Sequence, residues 1–262
     1  MFSAYQIVRE STMEAMGLTK EYFDEIGATD GTWTLDDYYD LALRAKESGF
    51  RISRGDVTAA DFIFTVFGAD GTGSGKGEDE LAEAIRKFLT HRKRMEDGDL
   101  LAWGKPEYEN STLLYVFNQK GDFRYAVESG EIMVWEPTVD GTRNYYIEPL
   151  FYMMNPNSTH KQAASEVLAI MLDPDGGYTD FAEGRYDLWL YKDAEKRMTT
   201  DAAKENWANY REAMQYFRAF VPSTGGWYSY AEEEMMKYLN DEQDLDYTVR
   251  RILDRAKMVM EG

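Results

Sequence analysis

The sequence predicts a helix-rich α/β fold, and three observations support this prediction. Residues 34–48 and 78–95 have helical periodicity together with the residue types that favour helix ends. Short apolar runs at 110–117 and 132–135 are typical of buried strands. The stretch 145–174 then combines a strand, a turn and a helix in one passage. The chain as a whole reads as mostly helical, with short strands between the helices.

The clearest helix is predicted over residues 34–48. Thr34 is suited to cap its first turn, and Asp36 and Asp37 complement the positive end of the helix dipole. Gly49 follows the last turn, a common position for glycine. Further helices are predicted over residues 78–95, with Leu81, Ile85, Phe88 and Leu89 facing inward, and over 205–220, 230–240 and 246–261.

The stretch 145–174 contains a third well-marked helix. Residues 155–157 are turn formers, and Ser158 is suited to accept a hydrogen bond from the first helical turn. Pro174 disfavours helical geometry at Asp173, so the helix should end there. Its apolar stripe predicts packing on a core and consists of Ala164, Val167, Leu168, Met171 and Leu172.

Composition excludes several classes of protein. A chain of 262 residues is long enough for one large domain or two small ones. Its formal charge of −19 would repel nucleic acids and anionic membrane surfaces. The chain has no cysteine, and its two histidines, His91 and His160, could form a zinc site only with distant carboxylates. No metal or other cofactor is therefore predicted.

No catalytic motif is visible, so no catalytic residue is predicted. The glycine-rich segment 68–77 has neither the spacing of a phosphate-binding loop nor that of a dinucleotide-binding turn. The Gly-x-Ser-x-Gly pattern of a nucleophile elbow does not occur. Carboxylates are too numerous for any two to be paired as a catalytic acid and base.

Aromatic residues are the feature that most suggests a function, since they form 15% of the chain. Trp135, Tyr146, Trp227 and Tyr228 are predicted near strand ends and turns, where a ring can face a cleft. A ring stacks on the apolar face of a sugar while polar groups bond its hydroxyls. The alternative is that these rings close the ends of the core.

Several passages together resemble the extracellular solute-binding proteins of bacterial ABC importers, family 1, the sugar-binding type. Residues 31–48 resemble the family's segment that opens a helix with Thr-Trp, and 123–134 resemble its short helix, glycine and Met-containing strand. Residues 155–172 and the C-terminal part 221–261 are similar to later passages of the family. The resemblance covers nearly the whole chain, and its strength lies in the order and spacing of the passages.

The resemblance implies a periplasmic-binding-protein-like type II fold, with two lobes around a ligand cleft. Residues 1–145 and 206–262 would form the second lobe, and 146–205 would return to an incomplete first lobe. The expected role is to bind a sugar or other small polar solute without catalysis. The ligand-binding residues would be Trp135, Trp227, Tyr228 and Tyr146.

The same resemblance implies a membrane permease as partner and an extracellular, cell-surface or periplasmic location. Residues 1–10 do not have the pattern of a signal peptide. With one lobe incomplete, we expect sugar to bind weakly or not at all, and we expect self-association through the exposed core surface. Two alternatives stay open: a carbohydrate hydrolase with an acidic pair, and a structural or interaction domain.

Overall fold

The computed structural model describes residues 5–53, 66–67, 76–102, 105–108, 111–115, 130–141, 143, 145–147, 157–172, 198–219 and 227–261. This part is helix-rich with two small β-sheets, in agreement with a mixed α/β class. Most of the glycine-rich segment, residues 68–75, lies outside the described residues.

The helices and strands are named here in chain order. The strands are β1 (Tyr5–Val8), β2 (Leu114–Tyr115), β3 (Met133–Trp135), β4 (Tyr145–Ile147) and β5 (Phe217–Ala219). The helices are α1 (Glu10–Ala15), α2 (Lys20–Glu25), α3 (Leu35–Glu47), α4 (Glu78–Asp97), α5 (Lys161–Leu172), α6 (Asp201–Ala213), α7 (Trp227–Leu239) and α8 (Leu245–Glu261). Short 3-10 turns occupy Pro106–Tyr108 and Met214–Tyr216.

The larger sheet has the order β2-β1-β3, and both neighbours are antiparallel to the central strand β1. Ile7 lies opposite Tyr115 on one side and Met133 on the other. Because alternate residues point to opposite faces, Val8, Leu114 and Val134 share the face that meets the first core.

That first core lies between the sheet and helices α1–α3. Its largest fully buried side chains include Trp33, Tyr38 and Phe23. Trp33 and Tyr38 meet edge to face, with ring centroids 5.5 Å apart, a preferred arrangement for aromatic pairs. The aromatic content of the sequence is therefore used in part for packing.

A second core joins α4, α7 and α8. The predicted inner face of α4 is confirmed, because Leu81, Ile85, Phe88 and Leu89 are all buried in it. Arg94 links this layer to the first core by donating hydrogen bonds from Nη2 to the Leu35 carbonyl at 3.1 Å and to the Asp36 carboxylate at 2.5 Å. The two cores are thus connected through the start of α3.

The smaller sheet consists of β4 and β5, which pair in parallel with Tyr146 opposite Arg218. The chain between them includes α5 and α6. Helix α6 returns to the body of the first core: Lys20 donates to Glu205 at 2.9 Å, and Asn206 donates to the Glu131 carbonyl at 2.8 Å. These contacts lie close to residue 206, where the sequence predicts the boundary between the two lobes.

Two sequence predictions need correction. Helix α5 forms as predicted, but Val167 is 54% exposed, so the prediction of core packing is wrong for that residue. The predicted helix 205–220 ends early, because the chain turns at Met214–Tyr216 and continues as β5. Pairing with β4 makes residues 217–219 a strand, because sheet pairing overrides local helical periodicity.

The cap of α3 gives a first prediction. Thr34 Oγ1 accepts from the Asp37 amide at 3.3 Å, and the Asp37 carboxylate accepts from the Thr34 amide at 2.7 Å. We expect Thr34→Ala to lower the free energy of unfolding by about 1 kcal/mol, measured by urea denaturation. The control is Thr90→Ala, since Thr90 is exposed within α4 and should tolerate alanine. Equal effects of the two variants would contradict the capping role.

A second prediction concerns the carboxylate of Glu234, which is only 1% exposed between α7 and α8. It accepts hydrogen bonds from Lys237 at 3.0 Å and from Gln243 at 3.1 Å, and Arg251 lies 3.6 Å away. Burial alone would raise the pKa of Glu234, but these hydrogen bonds and positive charges outweigh it and lower the pKa below its ordinary value.

A lowered pKa in the folded state means that Glu234 stabilises the fold above its unfolded pKa. That contribution is lost as pH falls through the folded pKa. We expect Glu234→Gln to cost about 2 kcal/mol at pH 7 and progressively less below pH of about 4. Urea denaturation across pH measures this. The neighbouring exposed Glu233→Gln is the control, and a cost for Glu234→Gln that stays constant with pH would contradict the assignment.

Candidate functional site

The segment that leaves β3 is bound along the loop before α3 by successive hydrogen bonds. The Trp135 amide donates to the Ala28 carbonyl at 2.9 Å, and Trp33 Nε1 donates to the Trp135 carbonyl at 2.7 Å. The Leu35 amide then donates to the Thr138 carbonyl at 3.0 Å. Since Trp33 is fully buried, this path is fixed to the first core.

A turn at Asp140-Gly141 continues the segment that leaves β3. Gly141 has a φ of +74°, a conformation that glycine adopts without steric cost. A Cβ at this position would lie 2.6 Å from the Thr32 carbonyl oxygen, so glycine also permits the close approach. The turn directs the chain toward Arg143 and β4.

Arg143 lies two residues before β4 and is at the centre of a polar cluster. Its Nη1 donates to the Glu212 carboxylate at 2.7 Å, and its Nη2 lies 3.5 Å from the Asp30 carboxylate. Its guanidinium lies over the Tyr216 ring, 5.1 Å from the centroid, in a cation–π arrangement. We name Asp30, Arg143, Glu212 and Tyr216 the Arg143 cluster.

The cation of this cluster is stable in its partly buried position. Burial alone would lower the pKa of Arg143. The hydrogen bond to Glu212 and the negative charge of Asp30 outweigh that effect, and the pKa is raised. The arginine therefore remains charged and keeps both carboxylates as partners.

The four predicted ligand residues have different placements. Trp135 is the last residue of β3 and is 3% exposed, with its ring edge to face against Tyr5 at 6.4 Å. This burial is what the packing role predicts for that ring. Tyr146 is the middle residue of β4, beside Arg218 of β5.

Trp227 and Tyr228 differ from the sequence prediction in one respect. They were predicted in a turn before a helix, but they are the first two residues of α7 itself. Their side chains and that of Tyr146 lie outside the described part of the structure. For these three residues the structure describes the backbone positions.

Glu131 is a separate carboxyl group of interest, just before β3. Burial raises its pKa, the nearby charge of Glu10 adds to this, and a hydrogen bond from the Tyr115 hydroxyl at 3.3 Å acts in the opposite direction. A partly buried carboxyl group with a raised pKa occurs in many catalytic sites and in some structural ones.

A groove of about 640 Å³ lies where α4 meets the start of α8, and it is lined in part by Arg86, Tyr247 and Arg250. Arg86 is paired across it with Asp246 at 2.5 Å, and the Asp246 side chain is 74% exposed. Trp135, the predicted ligand residue whose side chain the structure describes, does not line this groove. Its charges face solvent, and it does not enclose a ligand.

Within the described ranges, no group of three or more His, Asp or Glu side chains could hold a metal ion. No described helix is both long and apolar enough to cross a membrane. No protein-family model and no curated protein sequence matches this chain.

Sequence reasoning missed the Arg143 cluster. The signal nearest to it is an arginine between the turn at Gly141 and the strand at Tyr145. Nothing in the sequence indicates that Asp30 and Glu212 are its partners, because the tertiary fold alone brings them together.

A third prediction tests the approach of the turn to Thr32. We expect Gly141→Ala to lower the free energy of unfolding by at least about 1 kcal/mol more than Gly17→Ala. Gly17 also has a positive φ, +64°, but no atom within 4 Å of an added Cβ, so the comparison isolates the steric clash. Urea denaturation measures both variants, and equal losses would show that the turn has room to move away from Thr32.

Proposed function

We propose that this chain is a solute-binding component of an ABC importer that binds a carbohydrate or oligosaccharide without altering it. One observation carries this proposal: β4, at the proposed boundary between the lobes, pairs in parallel with β5 of the second lobe, next to the Arg143 cluster. A two-lobed binding protein needs a segment that passes from one lobe to the other beside the cleft, and β4 is the proposed segment. The resemblance described above implies the same arrangement.

The proposed lobes follow from this crossing point. Residues 1–145 and 206–262 form the second lobe, and 146–205 belong to the first, in a periplasmic-binding-protein-like type II fold. The contacts of Glu205 and Asn206 with the first core support a return of the chain close to that boundary. Exposure of Val167 on α5 fits a helix whose apolar face belongs to another body.

The proposed ligand contacts are made by rings near the crossing point. Tyr146 lies within β4, and Trp227 and Tyr228 begin the helix that follows β5 by a short connection. Such rings can stack on a pyranose while the acidic side chains that are frequent in this chain accept its hydroxyl hydrogens. Trp135 would support them from the core, since its ring is buried.

The remaining parts of the proposal come from the resemblance. The partner is a membrane permease of an ABC importer, and the location is extracellular, at the cell surface or periplasmic. Self-association through exposed apolar surface is part of the same proposal. The charge of −19 is consistent with a neutral rather than an anionic ligand.

The fourth prediction tests ligand binding. In saturation-transfer NMR with a panel of neutral oligosaccharides, we expect signals from sugar C–H protons that indicate dissociation constants on the order of 1 mM. Trp227→Ala should reduce these signals at least about twofold, because it removes the stacking surface. The melting temperature should not change.

Tyr247→Ala provides the control, because Tyr247 is an aromatic residue that is 46% exposed on α8 and lies outside the proposed site. Absence of signals for every sugar, or equal losses in the two variants, would refute the proposed ligand class. A fall in melting temperature for Trp227→Ala would favour packing as the role of that ring.

A hydrolase is the second candidate, favoured by the raised pKa of Glu131 beside the charge of Glu10. In that case Glu131 would keep its proton and donate it to the oxygen of the leaving group. Incubation with the same oligosaccharides distinguishes the two functions, since a hydrolase releases new reducing ends and Glu131→Gln abolishes that release. A binding protein returns the sugars intact.

A further inference from the structure

Arg143 makes contacts with two segments that are distant from it in sequence. One is the loop before α3, which contains Asp30, and the other runs from the last turn of α6, with Glu212, to Tyr216 directly before β5. Arg143 itself directly precedes the entry to β4. One guanidinium therefore contacts or adjoins the starting points of both parallel strands.

The partners of Arg143 are oriented for this role. One oxygen of Asp30 accepts from the Thr32 amide at 3.0 Å and from the Thr32 hydroxyl at 2.7 Å, so its other oxygen is aimed at the guanidinium. Glu212 extends from the regular helix α6. Local hydrogen bonds thus orient the Asp30 carboxylate, and helix α6 sets the backbone position of Glu212.

Burial differs between the cation and its partners. The side chain of Arg143 is 15% exposed, whereas those of Asp30 and Glu212 are 56% and 58% exposed. Two carboxylates and an aromatic face are satisfied together by a planar, forked cation, which lysine does not provide. The geometry therefore needs arginine in particular.

We propose that Arg143 is a positioning residue that fixes β4 and β5 at their starting points. By doing so it holds Tyr146 of β4 in register with Arg218 of β5. The consequence for a ligand rests on the proposed function, but the fixing of the two strands does not.

Hydrogen exchange of backbone amides tests the structural part without any ligand. In Arg143→Ala we expect amides of 145–147 and 217–219 to exchange at least about tenfold faster, because the strands lose their common anchor. Amides of β1, β3, α7 and α8 should stay within about twofold of their original rates. Arg143→Lys should give an intermediate increase, since it keeps the charge but loses the planar fork.

Two further variants keep the test decisive. Glu212→Gln removes one charge partner with little change of shape and should also accelerate exchange in β4 and β5. Arg86→Ala is the matched control, because it removes another arginine–aspartate pair, on α4, with no contact to the two strands. If β4 and β5 exchange at unchanged rates in Arg143→Ala and Glu212→Gln, or if all elements accelerate equally, the proposal is overturned.

The effect of Arg143 on sugar binding is measured separately. If the chain binds sugar, Arg143→Ala should weaken the saturation-transfer signals while Arg86→Ala leaves them unchanged. If neither the original chain nor any variant binds sugar, the proposed function is wrong. The exchange result still decides the role of Arg143. Faster exchange in β4 and β5 with undiminished sugar signals would overturn the link between strand position and binding.

Discussion

The hydrogen bond from the indole of Trp33 to the Trp135 carbonyl is the interaction on which the central architecture depends. Its donor is buried in the first core, and its acceptor ends the edge strand β3, so sheet and helices are joined at one point. An unpaired buried indole or carbonyl would be costly, so the bond also fixes the direction in which the chain leaves β3. The turn at Gly141 and the position of Arg143 follow from that direction.

Charge is organised differently at the surface and in the interior. Most acids in the described part of the chain face solvent, where an ion pair contributes little to stability. Glu234 is buried and has three hydrogen-bonding or charged partners, as a buried carboxylate requires. Arg143, before β4, is the corresponding cation. Each group connects separate elements: Glu234 joins α7 to α8, and Arg143 joins the loop before α3 to α6.

Aromatic residues fall into two groups that composition could not separate. Trp33, Trp135 and Trp207 are buried, and Trp207 stacks on Tyr210 with ring centroids 5.7 Å apart, so these rings serve packing. Tyr146 and Trp227 lie instead within β4 and at the start of α7. The proposed binding function therefore depends most on the second group.

The sequence by itself determined the helix α3 with its Thr34 cap, the inner face of α4 and the strands β3 and β4, because these depend on neighbours within a turn or a pleat. Only the tertiary structure decided that 217–219 would leave its helical pattern to pair with β4, and that Arg143 would meet Asp30 and Glu212. Strand pairing and ion pairs join residues far apart in the chain, and local periodicity carries no information about such partners.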